Sequence, residues 1–369
     1  MPMLHIMIPA SSMHAWPLLS GFGVRPAFLS HRWSSKPIQS QCAGRRTLQH
    51  LALYWCAASC KRAKAAQQSR SHMLSAQPEQ VRASRAPLFP FAKYLEDGRR
   101  SVKQAQADAG GAHIYFVRSF GRAASFRRMT CGLLEQLLPN LSSCRLALAA
   151  DDPDLDVYKA NAGPWSSHII LGVKGAERQI AFIDQICRKG SQVMILDDNI
   201  LKFMDRGDAI HANLDEMVAR GFKEMRKAGA KTWSGSDSPN PAHWSEEVDV
   251  GNGLVYGAAF GMVATHEPSR YSRFGQVMDD IERSCRFYEH DGATVRLGRF
   301  QVYKRHAPGL FHRKKGGISA SLSADAFAAE AAEARLALLQ RFPVLLQPAD
   351  TKLGLKFKHG KTRSAAFIL

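Results

Sequence analysis

The sequence predicts an α/β fold in which a mostly parallel central sheet is covered by helices on both faces. Short apolar runs rich in β-branched and aromatic residues alternate with longer segments in which apolar residues recur at helical spacing. Parallel strands require crossover connections, which are usually helices, so this alternation favours a parallel sheet. A length of 369 residues is sufficient for one large domain or two modest ones with a buried core.

Four apolar runs are the predicted strands of this sheet. They are 113–118, 145–149, 169–171 and 193–196. Each is short enough for a buried strand and is followed by polar residues or glycine. Because the first run is also the first periodic segment of the chain, we expect the folded part to begin at His113.

Helices are predicted between the first two runs, at 130–138, and between the last two, at 176–188. In the second segment, apolar residues at i, i+3 and i+7 form the stripe of a helix that packs on a sheet. A further helix is predicted at 324–341, where Ala, Glu, Leu and Arg alternate. The strands and helices together give the layered arrangement of an α/β domain.

The charge is distributed unevenly, which divides the chain into three predicted regions. Of the 50 Lys and Arg and 32 Asp and Glu residues, 15 and 4 respectively lie in 1–112, where no acidic residue precedes Glu79. This composition is typical of an organellar transit peptide and equally of a disordered extension. The folded domain is predicted at 113–358 and a basic tail at 359–369. We therefore expect an intracellular protein of the nucleus or an organelle.

Two further features of the composition exclude classes of protein. No apolar run approaches the roughly 20 residues that span a membrane, so no membrane span is expected. The seven cysteines show no repeated CxxC spacing, which argues against a zinc ribbon and against a disulfide framework. A reducing compartment is therefore expected.

Charged residues follow the predicted strands at the edge where α/β sheets bind ligands. Arg118 ends the first strand, Asp151 follows the second, and the fourth runs into Asp197-Asp198-Asn199. Carboxylate and amide oxygens suit Mg²⁺ or Mn²⁺, whose other ligands would be the phosphates of a nucleoside diphosphate. An Asp-rich turn that only ends the strand is the alternative.

A loop bounded by glycines, Gly172-Val-Lys-Gly175, precedes the helix predicted at 176–188. Free backbone N–H groups at the start of a helix, together with Lys174, suit a phosphate group. A plain strand-to-helix turn explains the same residues. The loop is thus consistent with a diphosphate site and does not establish one by itself.

A second acidic cluster, Asp279-Asp280-Ile-Glu282, is predicted to start a helix. Asp279 and Glu282 have the spacing of a capping box, which gives both a structural role. Asp280 is not needed for that box. A carboxylate at a helix start, facing the sheet edge, can take the proton from an attacking hydroxyl, so Asp280 is the candidate general base.

The order of these features resembles that of the GT-A glycosyltransferases, and more narrowly that of the TET/JBP-associated glycosyltransferases. The narrower resemblance rests on further stretches in the same order, namely Trp233, Asn240-Pro241, 253–261, Asp279-Asp280-Ile-Glu282-Arg283-Ser284, Val295-Arg296 and Gly316-Gly317-Ile318. The family is linked to glucosylation of hydroxymethylated pyrimidines in DNA, of which base J is an example. The resemblance covers about residues 113–358, and Asn199 replaces the third Asp of the family's acidic strand end.

The resemblance implies a GT-A-like nucleotide-sugar-binding fold, a UDP-sugar as donor substrate and Mn²⁺ or Mg²⁺ as cofactor. The donor-binding residues that it implies are Arg118, Asp151, Lys174, Asp197 and Asp198. It makes Asp197 and Asn199 the metal ligands and Asp280 the catalytic base. It places Asn240 and Trp244 at the acceptor groove.

The expected function is transfer of a sugar, glucose by the resemblance, from a UDP-sugar to a hydroxymethylated pyrimidine in DNA. The expected partners are a nucleotide sugar and DNA, and the basic C-terminal residues suit phosphate contacts or simple solubility. A GT-A enzyme with a protein or glycan acceptor and a non-catalytic nucleic-acid-binding protein are the alternatives. Catalysis is favoured because Asp197, Asp198 and Asp280 would repel DNA phosphates without a cation or donor. The oligomeric state is left open.

Overall fold

The computed structural model describes residues 92–108, 113–236, 247–304, 322–351 and 353–358. The strands of its large sheet are β1 (His113–Ser119), β2 (Cys144–Ala149), β3 (Ile169–Gly172), β4 (Gln192–Asp197), β5 (Ile200–Asp205), β6 (Asp208–Ala209), β7 (Thr232–Ser236), β8 (Val248–Gly251), β9 (Ala259–Val263) and β10 (Thr294–Lys304). The α-helices are α1 (Ala92–Asp108), α2 (Thr130–Leu137), α3 (Leu155–Asn161), α4 (Ala176–Ile186), α5 (Leu214–Lys227), α6 (Asp279–Asp291) and α7 (Ala324–Arg341). A two-stranded sheet pairs β11 (Leu346–Pro348) with β12 (Leu355–Phe357).

The large sheet is mixed, with the order β3-β2-β1-β4-β9-β7-β10-β5-β6 and with β8 paired to β10. Strands β1 to β4 form a continuous parallel block. Strands β5, β8 and β9 run against the direction shared by the other seven. The predicted α/β fold with a mostly parallel sheet is confirmed.

Both faces of the sheet are covered, because alternate residues of the strands enter two separate apolar layers. Tyr115 and Met194 lie in one layer, which α2, α3 and α5 cover. Phe116 and Ile195 lie in the other, which α1 and α4 cover together with Phe287 of α6. The parallel block is therefore buried on both sides, as its continuous apolar runs require.

The folded part begins before residue 113, which corrects the predicted boundary of the N-terminal extension. Helix α1 contacts α4, β3 and β1, and its residues Val102 and Ala105 are buried. Gly98 fits closely against α4, since a Cβ there would lie 2.8 Å from Cγ2 of Ile186. The helix has a polar composition overall, so its short apolar stripe does not stand out as a buried segment in the sequence.

The sequence argued against a membrane span and against a disulfide framework. In the described ranges, no helix combines the length and the apolarity needed to cross a membrane. The four cysteines in those ranges are buried and unpaired, namely Cys131, Cys144, Cys187 and Cys285. They act as small apolar side chains of the core.

Trp233 of β7 is a fully buried side chain that lies between two glycines. A Cβ at Gly221 of α5 would lie 2.4 Å from its Cε2 atom, and a Cβ at Gly261 of β9 would lie 2.0 Å from its Nε1 atom. Gly261 is also the residue directly opposite Trp233 in the antiparallel pair of β7 and β9. The indole thus fixes the distance at which α5 packs on the sheet.

We predict that Gly221→Ala lowers the free energy of unfolding by about 1–3 kcal/mol, the usual cost of overpacking a core. Alanine in a helix interior is ordinarily more stable than glycine by roughly 0.5–1 kcal/mol, so the sign of the change is diagnostic. Denaturant unfolding measures it. Because Trp233→Phe replaces the indole by a smaller ring, Gly221→Ala should cost less stability in the Trp233→Phe background than in the unaltered chain. A stabilising Gly221→Ala would contradict the proposed packing.

Candidate functional site

A cavity of about 280 Å³ lies beyond the carboxyl ends of the parallel strands. Its position is the one expected for ligands in α/β sheets. Six residues singled out from the sequence line it, namely Arg118, Lys174, Asp197, Asp198, Asn199 and Asp280. The structure therefore brings together the strand ends and the start of α6.

Asp197 ends β4 and bonds to cations through both carboxylate oxygens. Arg118 Nη2 donates to its Oδ1 at 2.8 Å, and Lys304 Nζ donates to its Oδ2 at 2.7 Å. Arg118 is adjacent because it lies opposite Asp197 in the parallel register of β1 and β4. Burial opposes ionisation, yet Lys304 and Arg118 outweigh it and lower the pKa of Asp197. Asp197 is therefore held as a carboxylate.

Asp198 is buried and faces a different set of partners. Its oxygens accept hydrogen bonds from Ser119 Oγ and from Arg122 Nη1. Ser119 Oγ lies 2.5 Å from Tyr158 Oη, which extends the network to α3. Burial raises the pKa of Asp198, although Arg122 acts in the opposite direction. These contacts give Asp198 a structural role at the cavity wall.

Thr130 holds the turn that carries these carboxylates. Its Oγ1 donates to the carbonyl of Asp197 at 2.6 Å and accepts from the N–H of Ile200 at 2.9 Å. The side chain is fully buried at the start of α2. One hydroxyl thus satisfies the two backbone groups on either side of Asp198 and Asn199.

The predicted metal site is not formed by the residues in place. In the described ranges, no group of three or more His, Cys, Asp or Glu side chains is placed to hold a metal ion. Asn199 has a buried Oδ1 without a hydrogen-bond partner there, which is one suitable oxygen. An ion beside Asp197, however, would have to compete with Arg118 and Lys304 for the same two oxygens. As paired in this structure, these residues do not fit a resident divalent cation, and the assignment of Asp197 and Asn199 as metal ligands in a complex with the donor stays a prediction.

Asp151 does not line this cavity and faces a neighbouring one of about 530 Å³. Asp151 is exposed in the turn that follows β2. Lys174 borders both cavities. Lys174 Nζ lies 5.0 Å above the ring centroid of Phe120. The structure therefore places Asp151 and Arg118 in two adjoining cavities that share Lys174, and the predicted donor-binding role of Asp151 stays a prediction.

The neighbouring cavity also contains Glu177, a mostly buried carboxylate near the start of α4. Burial raises its pKa to about 7. Its Oε2 has no hydrogen-bond partner among the described residues. Glu177 is a titratable group next to the candidate site that the sequence did not single out.

Asp280 lies on the first turn of α6 and lines the same cavity as the strand ends. Its Oδ1 accepts a hydrogen bond from the N–H of Ile281 at 2.9 Å. Burial and then the adjacent Asp279 raise the pKa of Asp280 to about 6, while Arg283 acts in the opposite direction. A carboxyl whose pKa is raised toward neutral pH suits a group that accepts a proton during a reaction.

Gly257 is the close neighbour that joins Asp280 to the Asp197 group. A Cβ at Gly257 would lie 3.2 Å from Cβ of Asp280. Its carbonyl accepts a hydrogen bond from Arg118 Nη2 at 3.1 Å, and Arg118 also bonds to Asp197. The absence of a side chain at 257 thus lets the candidate base approach the ion pairs.

The predicted capping box at the start of α6 is not formed. The residue that precedes the helix is Met278, which has a left-handed backbone and makes no side-chain cap. Glu282 Oε2 instead accepts from the N–H groups of Arg273 and Phe274, at 2.9 Å each. Asp279 Oδ2 accepts from Arg283 Nη1 at 2.8 Å. The ion pair of Asp279 with Arg283 and the hydrogen bonds from the preceding loop to Glu282 therefore take the place of the predicted capping box.

Lys304 is the important site residue that sequence reasoning missed. It is the last residue of β10 and lies 107 positions from Asp197 in the chain. No spacing or motif connects the two, and only the pairing of β10 with β5 brings them together. The acceptor residues expected at Asn240 and Trp244 lie outside the described residues.

No family model matches the chain, and no curated protein matches its sequence. Among solved structures, it is similar to TarS 1-349 of S. aureus in complex with UDP-GlcNAc, with 10% identity, 65% of this chain and 68% of that chain covered, and a TM-score of 0.40. It is similar to glucosyl-3-phosphoglycerate synthase of Mycobacterium tuberculosis with Mn²⁺, UDP-glucose and glycerol 3-phosphate, with 12% identity, coverage of 70% and 90%, and a TM-score of 0.36.

A third similar structure is the mannosyltransferase PcManGT of Pyrobaculum calidifontis in complex with GDP-Man and Mn²⁺. The identity is 10%, the match covers 52% of this chain and 62% of that chain, and the TM-score is 0.32. All three of these structures hold a nucleotide sugar.

We predict that Thr130→Val lowers the free energy of unfolding by about 1–3 kcal/mol, because it leaves two buried backbone groups without partners. Thr232→Val is the matched control, since that threonine is equally buried but donates only to the carbonyl of Gly261. The loss should be larger for Thr130→Val in denaturant unfolding. Equal losses for the two variants would show that the turn does not depend on Thr130.

Proposed function

We propose that this chain is a GT-A glycosyltransferase that transfers a sugar from a nucleoside diphosphate to an acceptor hydroxyl. The observation that carries the proposal is the concentration of basic side chains with a proton acceptor in one cavity. Arg118, Arg122 and Lys304 surround Asp197 and Asp198, and Asp280 lines the same cavity. An anionic leaving group and a base are what this reaction needs.

The cations around Asp197 and Asp198 support diphosphate binding. Three basic groups pair with two carboxylates, so these five side chains carry one positive charge in excess, while Asp279 and Asp280 line the same cavity. Lys174 adds a further positive charge on the lining. Arg and Lys side chains are common ligands of phosphate oxygens. A nucleoside diphosphate therefore matches the charge of this region.

Asp280 supports the chemical step. In the proposed displacement, the bond between the anomeric carbon and the diphosphate oxygen breaks as the acceptor oxygen bonds to that carbon. The acceptor's proton passes to the Asp280 carboxylate, and the nucleoside diphosphate leaves with its negative charge. The basic groups at Asp197 stabilise that charge as it develops.

For the acceptor we propose a hydroxymethylated pyrimidine in DNA, and for the donor UDP-glucose. The support is the order of sequence motifs from Arg118 to Gly316-Gly317-Ile318, together with the modest positive charge of 113–369, where 35 Lys and Arg face 28 Asp and Glu. A protein or glycan acceptor is the rival within the same class of enzyme. A binding protein without catalysis is disfavoured because it would have no use for Asp280, a carboxylate that would repel a phosphate backbone.

The test is incubation of the whole chain with UDP-glucose, UDP-GlcNAc or GDP-mannose and an oligonucleotide that contains hydroxymethylated pyrimidines. Mass spectrometry of the digested oligonucleotide should show one added hexose with UDP-glucose and none with the unmodified sequence. Transfer to a protein or glycan acceptor alone would keep the enzyme class and reject the DNA acceptor. Failure to bind or hydrolyse any of the three donors would reject the proposed function.

We predict that Asp280→Asn lowers turnover by about 10²-fold or more while donor affinity changes little, because only the proton acceptor is lost. The steady-state rate and calorimetric donor binding measure the two effects. Thermal unfolding checks that the variant is folded. A variant with near-normal turnover would show that Asp280 is not the base.

The pH dependence gives a separate prediction. A base with a pKa of about 6 is protonated below that pH, so kcat/KM should fall as the pH is lowered through about 6. Asp279→Asn removes a neighbouring negative charge that raises the pKa of Asp280, so the fall should move to lower pH. Rate profiles at constant ionic strength measure both. An unchanged profile in Asp279→Asn would argue that another group controls the acid limb.

A further inference from the structure

Lys304 is placed in the cavity by an irregularity in the sheet. The register of β10 and β5 shifts between Tyr303, which lies opposite Lys202, and Lys304, which lies opposite Ile200. Such bulges redirect side chains and are frequent next to active sites. Tyr303 is 46% exposed, whereas the side chain of Lys304 is only 13% exposed. At this register shift, the side chain of Lys304, the last residue of β10, turns toward Asp197.

The ammonium group of Lys304 lies where it can bind the oxygens of a phosphate group. Its Nζ lies 2.7 Å from Asp197 Oδ2 and 5.9 Å from the ring centroid of Tyr256. An ammonium has three N–H donors. Among the described residues, the hydrogen bond to Asp197 accounts for one of them. The remaining donors are available to oxygens of a molecule in the cavity.

A divalent cation at the same carboxylate would conflict with Lys304. Mg²⁺ binds carboxylate oxygens at about 2.0–2.1 Å, a distance that would bring it next to the ammonium group. Moving the lysine away would leave a buried ammonium without its carboxylate, which is unfavourable. Arg118 holds the second oxygen of Asp197 in the same way. The site is thus already supplied with positive charge from its own side chains.

We infer that Lys304 and Arg118 bind the donor diphosphate in place of a metal ion, so that donor binding does not require Mg²⁺ or Mn²⁺. The inference rests on the proposed function and specifies how that site neutralises the leaving group. Lys304 then contacts the diphosphate directly, and Asp197 orients the lysine and the arginine toward it. The unpaired Oδ1 of Asn199 then accepts a hydrogen bond from a hydroxyl group of the nucleotide sugar and does not bind a metal ion.

The first experiment measures UDP binding to the whole chain by titration calorimetry, in excess EDTA and again in Mn²⁺. Affinities that agree within about twofold support the inference. Binding that occurs in Mn²⁺ and disappears in EDTA overturns it and leaves the proposed function intact. Absence of UDP and GDP binding under both conditions overturns the proposed function, and the inference with it.

The second experiment compares Lys304→Met with Lys202→Met, a matched removal of an exposed lysine on the adjacent strand. In EDTA, Lys304→Met should weaken UDP binding by about tenfold or more, the effect of one charge-assisted contact. Lys202→Met should leave it unchanged. Added Mn²⁺ should restore part of the lost affinity in Lys304→Met, because Asp197 Oδ2 is then free. Equal UDP affinities of Lys304→Met and the unaltered chain in EDTA would overturn the inference.

A third measurement remains decisive if Lys304→Met fails to fold. Electron paramagnetic resonance of Mn²⁺ titrated into the unaltered chain reports direct metal binding. We expect the spectrum of free Mn²⁺ without nucleotide and, with UDP, the spectrum that Mn²⁺ and UDP give in the absence of the chain. A signal of protein-bound Mn²⁺ that strengthens on addition of UDP would overturn the inference.

Discussion

Asp197 bonds to cations from two other strands, and the candidate site is organised around those two ion pairs. Arg118 comes from the adjacent strand β1, whereas Lys304 comes from the far end of β10. Charged groups that are removed from water are stable only when they are paired, so each member of this group depends on the others. Strand β5 begins directly after the turn at Asn199 and pairs with the end of β10. The sheet order and the charge pairing therefore support each other.

The parallel half of the fold could be predicted because its signals are local. The runs at 113–118 and 193–196 are largely apolar, as expected for strands buried on both faces; the first ends in Arg118, and Asp197 follows the second directly. Helix α1 escaped prediction because Val102 and Ala105 are buried within a segment that is otherwise polar. Its boundary is set by contact with α4, and contact between distant segments leaves no pattern in the sequence.

The residues of the candidate site also divide into those with a local signal in the sequence and those placed by contacts between distant segments. Arg118 and Asp197 could be predicted because both stand at strand ends, and the parallel register then makes them neighbours. Lys304 could not, since its relation to Asp197 is created by a register shift and a strand order. The capping box failed for a similar reason. Its spacing is correct in the sequence, but Glu282 is required by two backbone N–H groups of the loop before the helix.

Asp197 and Asp280 line one cavity and have pKa values displaced in opposite directions, which divides the chemistry between them. Cations on both oxygens lower the pKa of Asp197, so a proton cannot be held there near neutral pH. Asp280 has no such pair of cations, and burial raises its pKa. Carboxylates separated in this way are how acid and base roles are commonly assigned. In the proposed function, Asp197 positions positive charge at the leaving group, and Asp280, whose carboxylate is not held between two cations, accepts the proton.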